Sequence, residues 1–88
     1  MIRLSENVRK MTSPDGGSLL DVRRGKMFRL NATASAVVEL LARGWEENRI
    51  ALEISVRYGL ELAPASAEVH EFLASLRNHG LLDSGSEG

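Results

Sequence analysis

The sequence predicts an α+β domain in which a three-stranded antiparallel sheet precedes three helices. Three observations predict it. The front third carries short alternating runs separated by turn signals. The rest carries three apolar patterns at helical spacing, and a glycine follows each of them. With 88 residues the chain has room for one domain around one modest core.

The elements follow in order. "VRKMT" from Val8 reads as a first strand, and "SPDGGS" at 13–18 as the turn after it. There Pro14 presets φ, Asp15 bonds its own backbone, and Gly16 and Gly17 accept positive φ. "SLLDV" is the second strand. "VRRG" turns again, with Gly25 suited to the left-handed position of a bulged hairpin loop. "KMFRL" alternates, Phe28 and Leu30 pointing one way, Met27 and Arg29 the other. The result is a meander over roughly residues 8–30.

Asn31 is a good N-cap for "ATASAVVELLAR", where Ala34, Val37, Val38 and Leu41 mark one buried face and Gly44 closes the helix. The second helix runs from Glu47 to Tyr58, with Ile50, Ala51, Ile54 and Tyr58 on one side and Gly59 after it. Pro64 suits the first position of a third helix, since its missing N–H costs nothing there. Val69, Phe72, Leu73 and Leu76 repeat the helical spacing up to Gly80. Phe28, Leu30, Val37, Leu41, Ile54, Phe72, Leu73 and Leu76 are the expected core. The domain spans 1–83, followed by a flexible tail at 84–88. This order describes a winged-helix-like domain with its wing at the N-terminus.

Charge is uneven. Seven Lys or Arg lie before Asn31 against Glu6, Asp15 and Asp21; after it four Arg face nine acidic residues. The net charge of −1 generates no field to attract nucleic acid or anionic lipid. No cysteine is present, so disulfides and thiolate metal sites are excluded. No apolar run reaches the roughly 18 residues of a membrane span. The opening segment lacks the apolar stretch of a secretory signal. A cytoplasmic protein is expected.

Catalytic signatures are lacking. His70 and Glu71 begin "HEFLA", but the second His of a zinc protease would stand at Ala74. His70 and His79 fall on opposite sides of one helix and share no metal. No Ser sits in a nucleophile elbow, and Gly16-Gly17 lacks the Lys and Ser/Thr of a phosphate cradle. The chain reads as a non-enzyme without cofactor or metal. A winged-helix outline raises DNA binding, yet the third helix sets Arg77 and two neutral His against Glu68 and Glu71. Phosphate neutralisation dominates DNA affinity, and this helix would repel more than it attracts. Trp45 reads better as a ring folded over the first helix junction than as an interface anchor. The stripe Val69, Phe72, Leu73, Leu76 is most simply core.

Across residues 5–82, "LLDVRRGKMFRLN", "ATASAVVELLARG", "RIALEISVRYGLE" and "SAEVHEFLASLRNHGLL" resemble the PqqD-like family. The elements that carry the resemblance are Leu19, Leu20, Asp21, Gly25, Leu30 and Asn31 in the hairpin, Tyr58, and Val69, Phe72, Leu73, Leu76, Gly80, Leu81 and Leu82. The resemblance implies a precursor-peptide recognition element. Such a domain binds the leader segment of a ribosomally made precursor by strand addition and presents it to a modifying enzyme. The absence of a Cys near the end of "ELLARG" places the chain nearer the stand-alone proteins of lasso-peptide biosynthesis, whose enzyme is a leader peptidase. The alternative is a chaperone of pyrroloquinoline quinone biosynthesis acting with a radical-SAM enzyme; a DNA-binding regulator and a plain interaction subunit are further alternatives.

On this reading the strand after Gly25 is a free edge kept soluble by its basic residues. Lys26, Met27, Phe28, Arg29 and Leu30 form the docking strand. Val69, Phe72 and Leu76 form an apolar floor, with Ser75 and His79 at its rim. The expected partners are the leader and its enzyme, with no nucleic acid and no membrane.

Overall fold

Asn31 divides the chain into a strand-rich front and a helical back. The computed structural model describes residues 2–83, and the tail expected at 84–88 lies outside the described residues. In chain order the elements are β1 (Arg3–Leu4), β2 (Val8–Ser13), β3 (Gly16–Asp21), β4 (Lys26–Leu30), α1 (Ala32–Ala42), α2 (Glu47–Tyr58), α3 (Leu62–Asn78) and β5 (Leu82–Asp83). Strands β2, β3 and β4 form a meander in sequence order, antiparallel throughout. The α+β class and the order of its main elements are as the sequence predicts.

The first hairpin turns more tightly than expected. Ser13 pairs with Gly16, so Pro14 and Asp15 alone make the loop and both glycines belong to β3. Gly16 is needed for close approach as well as for its φ of +143°: a Cβ there would lie 2.7 Å from the Leu30 carbonyl oxygen. Its own carbonyl and that of Ser13 share the hydroxyl of Ser35, which donates over 3.1 and 3.0 Å. Ser35 is buried on the face of α1 that covers the sheet. This polar tie at a core position is satisfied, so its hydrogen bonds offset the desolvation of Ser35 and hold α1 on the first hairpin.

Helix ends match their residues. The Asn31 side-chain oxygen accepts from the Ala34 N–H at 2.8 Å, satisfying an orphan donor of α1. Gly59 caps α2 in the left-handed conformation. Helix α3 begins at Leu62, two residues before the expected start at Pro64. Proline is tolerated there because the first turn of a helix has no N–H partners to lose.

The core joins Leu19 and Leu30 of the sheet to Val37, Val38, Leu40 and Leu41 of α1, Ile50 and Ile54 of α2, and Val69, Leu73 and Leu76 of α3. Phe28 and Phe72, expected in the core, are only partly buried. Both pack against the core with part of their surface and leave the rest exposed. Tyr58 lies at the margin of α2, 38% exposed. Trp45 packs half-buried against the core with the Arg49 guanidinium 4.4 Å over its ring. β1 and β5 pair as a small separate ribbon, Arg3 with Asp83 and Leu4 with Leu82, which the sequence did not signal. Among the described residues no helix is long and apolar enough to cross a membrane.

Candidate functional site

The free edge of β4 has a definite hydrogen-bonding phase. Val22 N–H donates to the Asn7 carbonyl at 2.9 Å, one rung beyond the Val8–Asp21 pair. Main-chain groups of an antiparallel strand face alternate neighbours. Ser18 and Leu20 therefore turn to β2, while Gly17, Leu19 and Asp21 turn to Leu30, Phe28 and Lys26 of β4. Lys26, Phe28 and Leu30 spend their N–H and C=O groups inside the sheet. Met27 and Arg29 aim theirs outward, along an edge that no strand covers among the described residues.

The other edge, β2, is engaged only at its start and through its side chains. Val8 N–H already donates to the Ser5 carbonyl at 3.0 Å. Lys10 and Thr12 are tied to the Glu39 carboxylate of α1 at 3.1 and 2.7 Å. Hydrogen bonds from Thr12 and then Lys10 hold the Glu39 carboxyl below its ordinary value of 4.5. Both outer strands thus offer main-chain groups, and β4 differs from β2 in having hollows beside it.

The end of α3 lies near the start of β4 and the middle of α3 near the β4–α1 junction, so the two elements run in opposite directions along a seam. Two contacts hold the hairpin to the end of α3, and both are made to His79. Arg24 Nη1 bridges the buried Asp21 carboxylate at 3.3 Å and the His79 carbonyl at 3.1 Å. Phe28 meets the His79 ring edge-on. The His79 Nδ1 donates to the Ser75 carbonyl at 2.8 Å, which fixes the ring's tautomer and direction. Gly80 makes this approach feasible, because a Cβ there would sit 2.7 Å from Arg24 Nη1.

Two hollows lie along the seam. At the turn end, a space of about 370 Å³ is lined by Lys26, Phe28, Arg77 and His79 among others. At the other end, where β4 passes into α1, a space of about 330 Å³ is lined by Ala34, Val37, Glu68, Val69, Glu71 and Phe72 among others. Of the expected site residues, Lys26, Phe28 and His79 line the first hollow and Val69 and Phe72 the second, with different exposure; Leu30 is buried in the core. Val69 and Leu76 are 1% and 4% exposed and serve the core, so the apolar surface open to a ligand is made mainly by Phe28, Phe72 and Ala34. Ser75 and His79 are exposed. Met27 and Arg29 direct their side chains to the outer face of the sheet and contribute backbone to the edge. Asp21, Arg24, Ala34 and Arg77 were not among the expected site residues, although the Arg at 24 beside a turn Gly was visible as charge.

The comparisons with known proteins address the family and the fold. The family model described as coenzyme PQQ synthesis protein D (PqqD) matches residues 16–82. A solved structure of TbiB1 in complex with the TbiA(beta) leader peptide is similar at a TM-score of 0.86 and 26% identity, over 97% of this chain and 99% of that one. A structure of lasso peptide synthetase B1 complexed with the leader peptide is similar at 0.84 and 27%, over 93% and 96%. No curated protein matches the sequence.

Proposed function

The chain belongs to the PqqD family, and from that premise we propose that it is a non-catalytic adaptor for the leader segment of a ribosomally made precursor peptide. It presents the leader to the leader peptidase of a lasso-peptide pathway. The observation that carries this reading is the unpaired edge of β4 beside the β4–α3 seam. Two chains similar over nearly their whole length, both named with a leader peptide, support it.

The leader lies extended and antiparallel along Lys26–Leu30. Met27 and Arg29 each offer one N–H and one C=O to it, which fixes register. Side chains on one face of the leader enter the hollows beside Phe28 and Phe72, which supplies specificity, as in strand addition generally. Micromolar to nanomolar binding corresponds to about 8–12 kcal/mol, within reach of such an interface after the ordering cost of a flexible peptide.

Titration of a labelled cognate leader tests this reading. Saturable binding that weakens by no more than about tenfold with added salt is the expected outcome; affinity for DNA that falls by several orders of magnitude with salt would move the assignment to a nucleic-acid protein. The description of the matching family favours a second reading, delivery to the radical-SAM enzyme of quinone biosynthesis. Which enzyme retains the leader–adaptor complex on a column separates the two.

A further inference from the structure

The seam carries opposite charge at its two ends. Lys26 and Arg77 line the hollow at the hairpin turn, and Glu68 and Glu71 line the hollow at the start of α1. All four side chains belong to exposed residues, and none forms an ion pair among the described residues. The remaining charges at the turn end, Asp21 and Arg24, satisfy each other. Like charges are thus gathered, outside any ion pair, at each end of one apolar seam. Each end attracts the opposite charge on whatever lies between them.

Resting on the leader-binding reading above, we propose that this polarity selects the charge order of the leader: a basic residue toward its N-terminus over Glu68 and Glu71, and an acidic residue toward its C-terminus over Lys26 and Arg77. The direction follows from β4, which runs from the basic end to the acidic end, so that an antiparallel guest runs from acidic to basic. The spacing follows from α3, which contains both Glu68 and Arg77. At 1.5 Å per helical residue they are separated by about 13 Å, which an extended strand crosses in about four residues. Residues four apart in a strand share a face, so both charges point toward α3 with an apolar side chain between them at the level of Phe72 and Phe28. The reverse peptide direction would bring like charges together at both ends.

Selection from a displayed library of random short peptides on the immobilised full chain tests this without knowledge of the natural precursor. The enriched peptides should carry Lys or Arg about four positions before Asp or Glu. Exposed pairs each contribute a factor of about 1.5–5, so a selected peptide should bind about tenfold tighter than its charge-swapped counterpart. The variant combining Lys26→Glu, Arg77→Glu, Glu68→Lys and Glu71→Lys should invert that preference. Lys26 stands opposite Asp21 and Arg77 lies in the last turn of α3, so the variant's melting midpoint should fall modestly; a retained cooperative melt separates lost specificity from lost fold. Enriched peptides with no charge order, or with the same order on parent and variant, overturn the proposal while leaving leader binding in place. Failure to enrich any extended peptide overturns the leader-binding reading and this inference with it.

Discussion

Phe28 and His79 meet with ring centroids 5.1 Å apart and planes inclined by 67°. This edge-on pair joins the free strand to the end of α3, and both rings keep a side open to the seam. Phe28 and Phe72 are both half-buried, packed on the core and partly exposed along the seam.

Phe72→Ala should weaken leader binding by about tenfold, the loss typical of a modest interface anchor. Its stability loss should be smaller than that of Leu73→Ala, the fully covered neighbour, at about 2–5 kcal/mol. Calorimetric titration and urea unfolding measure the two effects. Unchanged affinity in Phe72→Ala would remove the seam from the site.

Leu41 is 2% exposed in the layer between sheet and helices. Leu41→Ala should cost about 2–5 kcal/mol, a large share of what a domain this size has. An unshifted denaturation midpoint would contradict the packing of α1.

Glu39 supplies a pH dependence. Its carboxyl is held below the ordinary value of 4.5, first by the Thr12 hydroxyl and then by Lys10. A depressed folded value favours the ionised form, so the stabilisation is present above pH 4.5 and lost as the pH falls through the folded value. Glu39→Gln should lower the melting midpoint at neutral pH, and parent and variant should converge in acid. A difference that persists unchanged in acid would assign the loss to something other than charge.

Gly80 has a φ of +74° and lies against the Arg24 guanidinium. Gly80→Ala should destabilise by more than about 1 kcal/mol, since it strains the backbone and displaces Arg24 from the His79 carbonyl. Loss of leader affinity should accompany it, because the turn would no longer be held to α3. Thermal melting and titration of the same variant check both.

Much of this was legible before the structure. Asn31, Gly44, Gly59 and Gly80 mark helix ends because capping chemistry is local, and the alternation of "KMFRL" gives the inward face of β4. Other features have no local signal. Two-residue strands such as β1 and β5 are too short to show a period. Ser35 is polar in an apolar stripe, and only the carbonyls of a distant hairpin explain its burial. Gly16 and Gly17 looked like turn residues because a sequence shows glycine but not the carbonyl it must accommodate. Periodicity assigned Phe28 and Phe72 to the core face correctly but carries no information on how far two elements diverge. The outward phase of Met27 and Arg29 depends on a hydrogen bond between Asn7 and Val22, beyond the reach of pattern alone.

That phase makes the central claim testable with a matched pair of substitutions. Proline removes a backbone N–H, which an edge strand tolerates only where that group faces away from the sheet. Met27→Pro should fold like the parent and lose leader binding, because the N–H it removes is the one offered to the guest. Phe28→Pro removes a bond to Leu19 and should break the β3–β4 hairpin instead. Titration of labelled cognate leader against Met27→Pro, with a melting curve to verify its fold, is the most direct measurement. The account predicts a parent-like melt with binding abolished; a folded Met27→Pro that binds the leader as the parent does would contradict strand addition at β4.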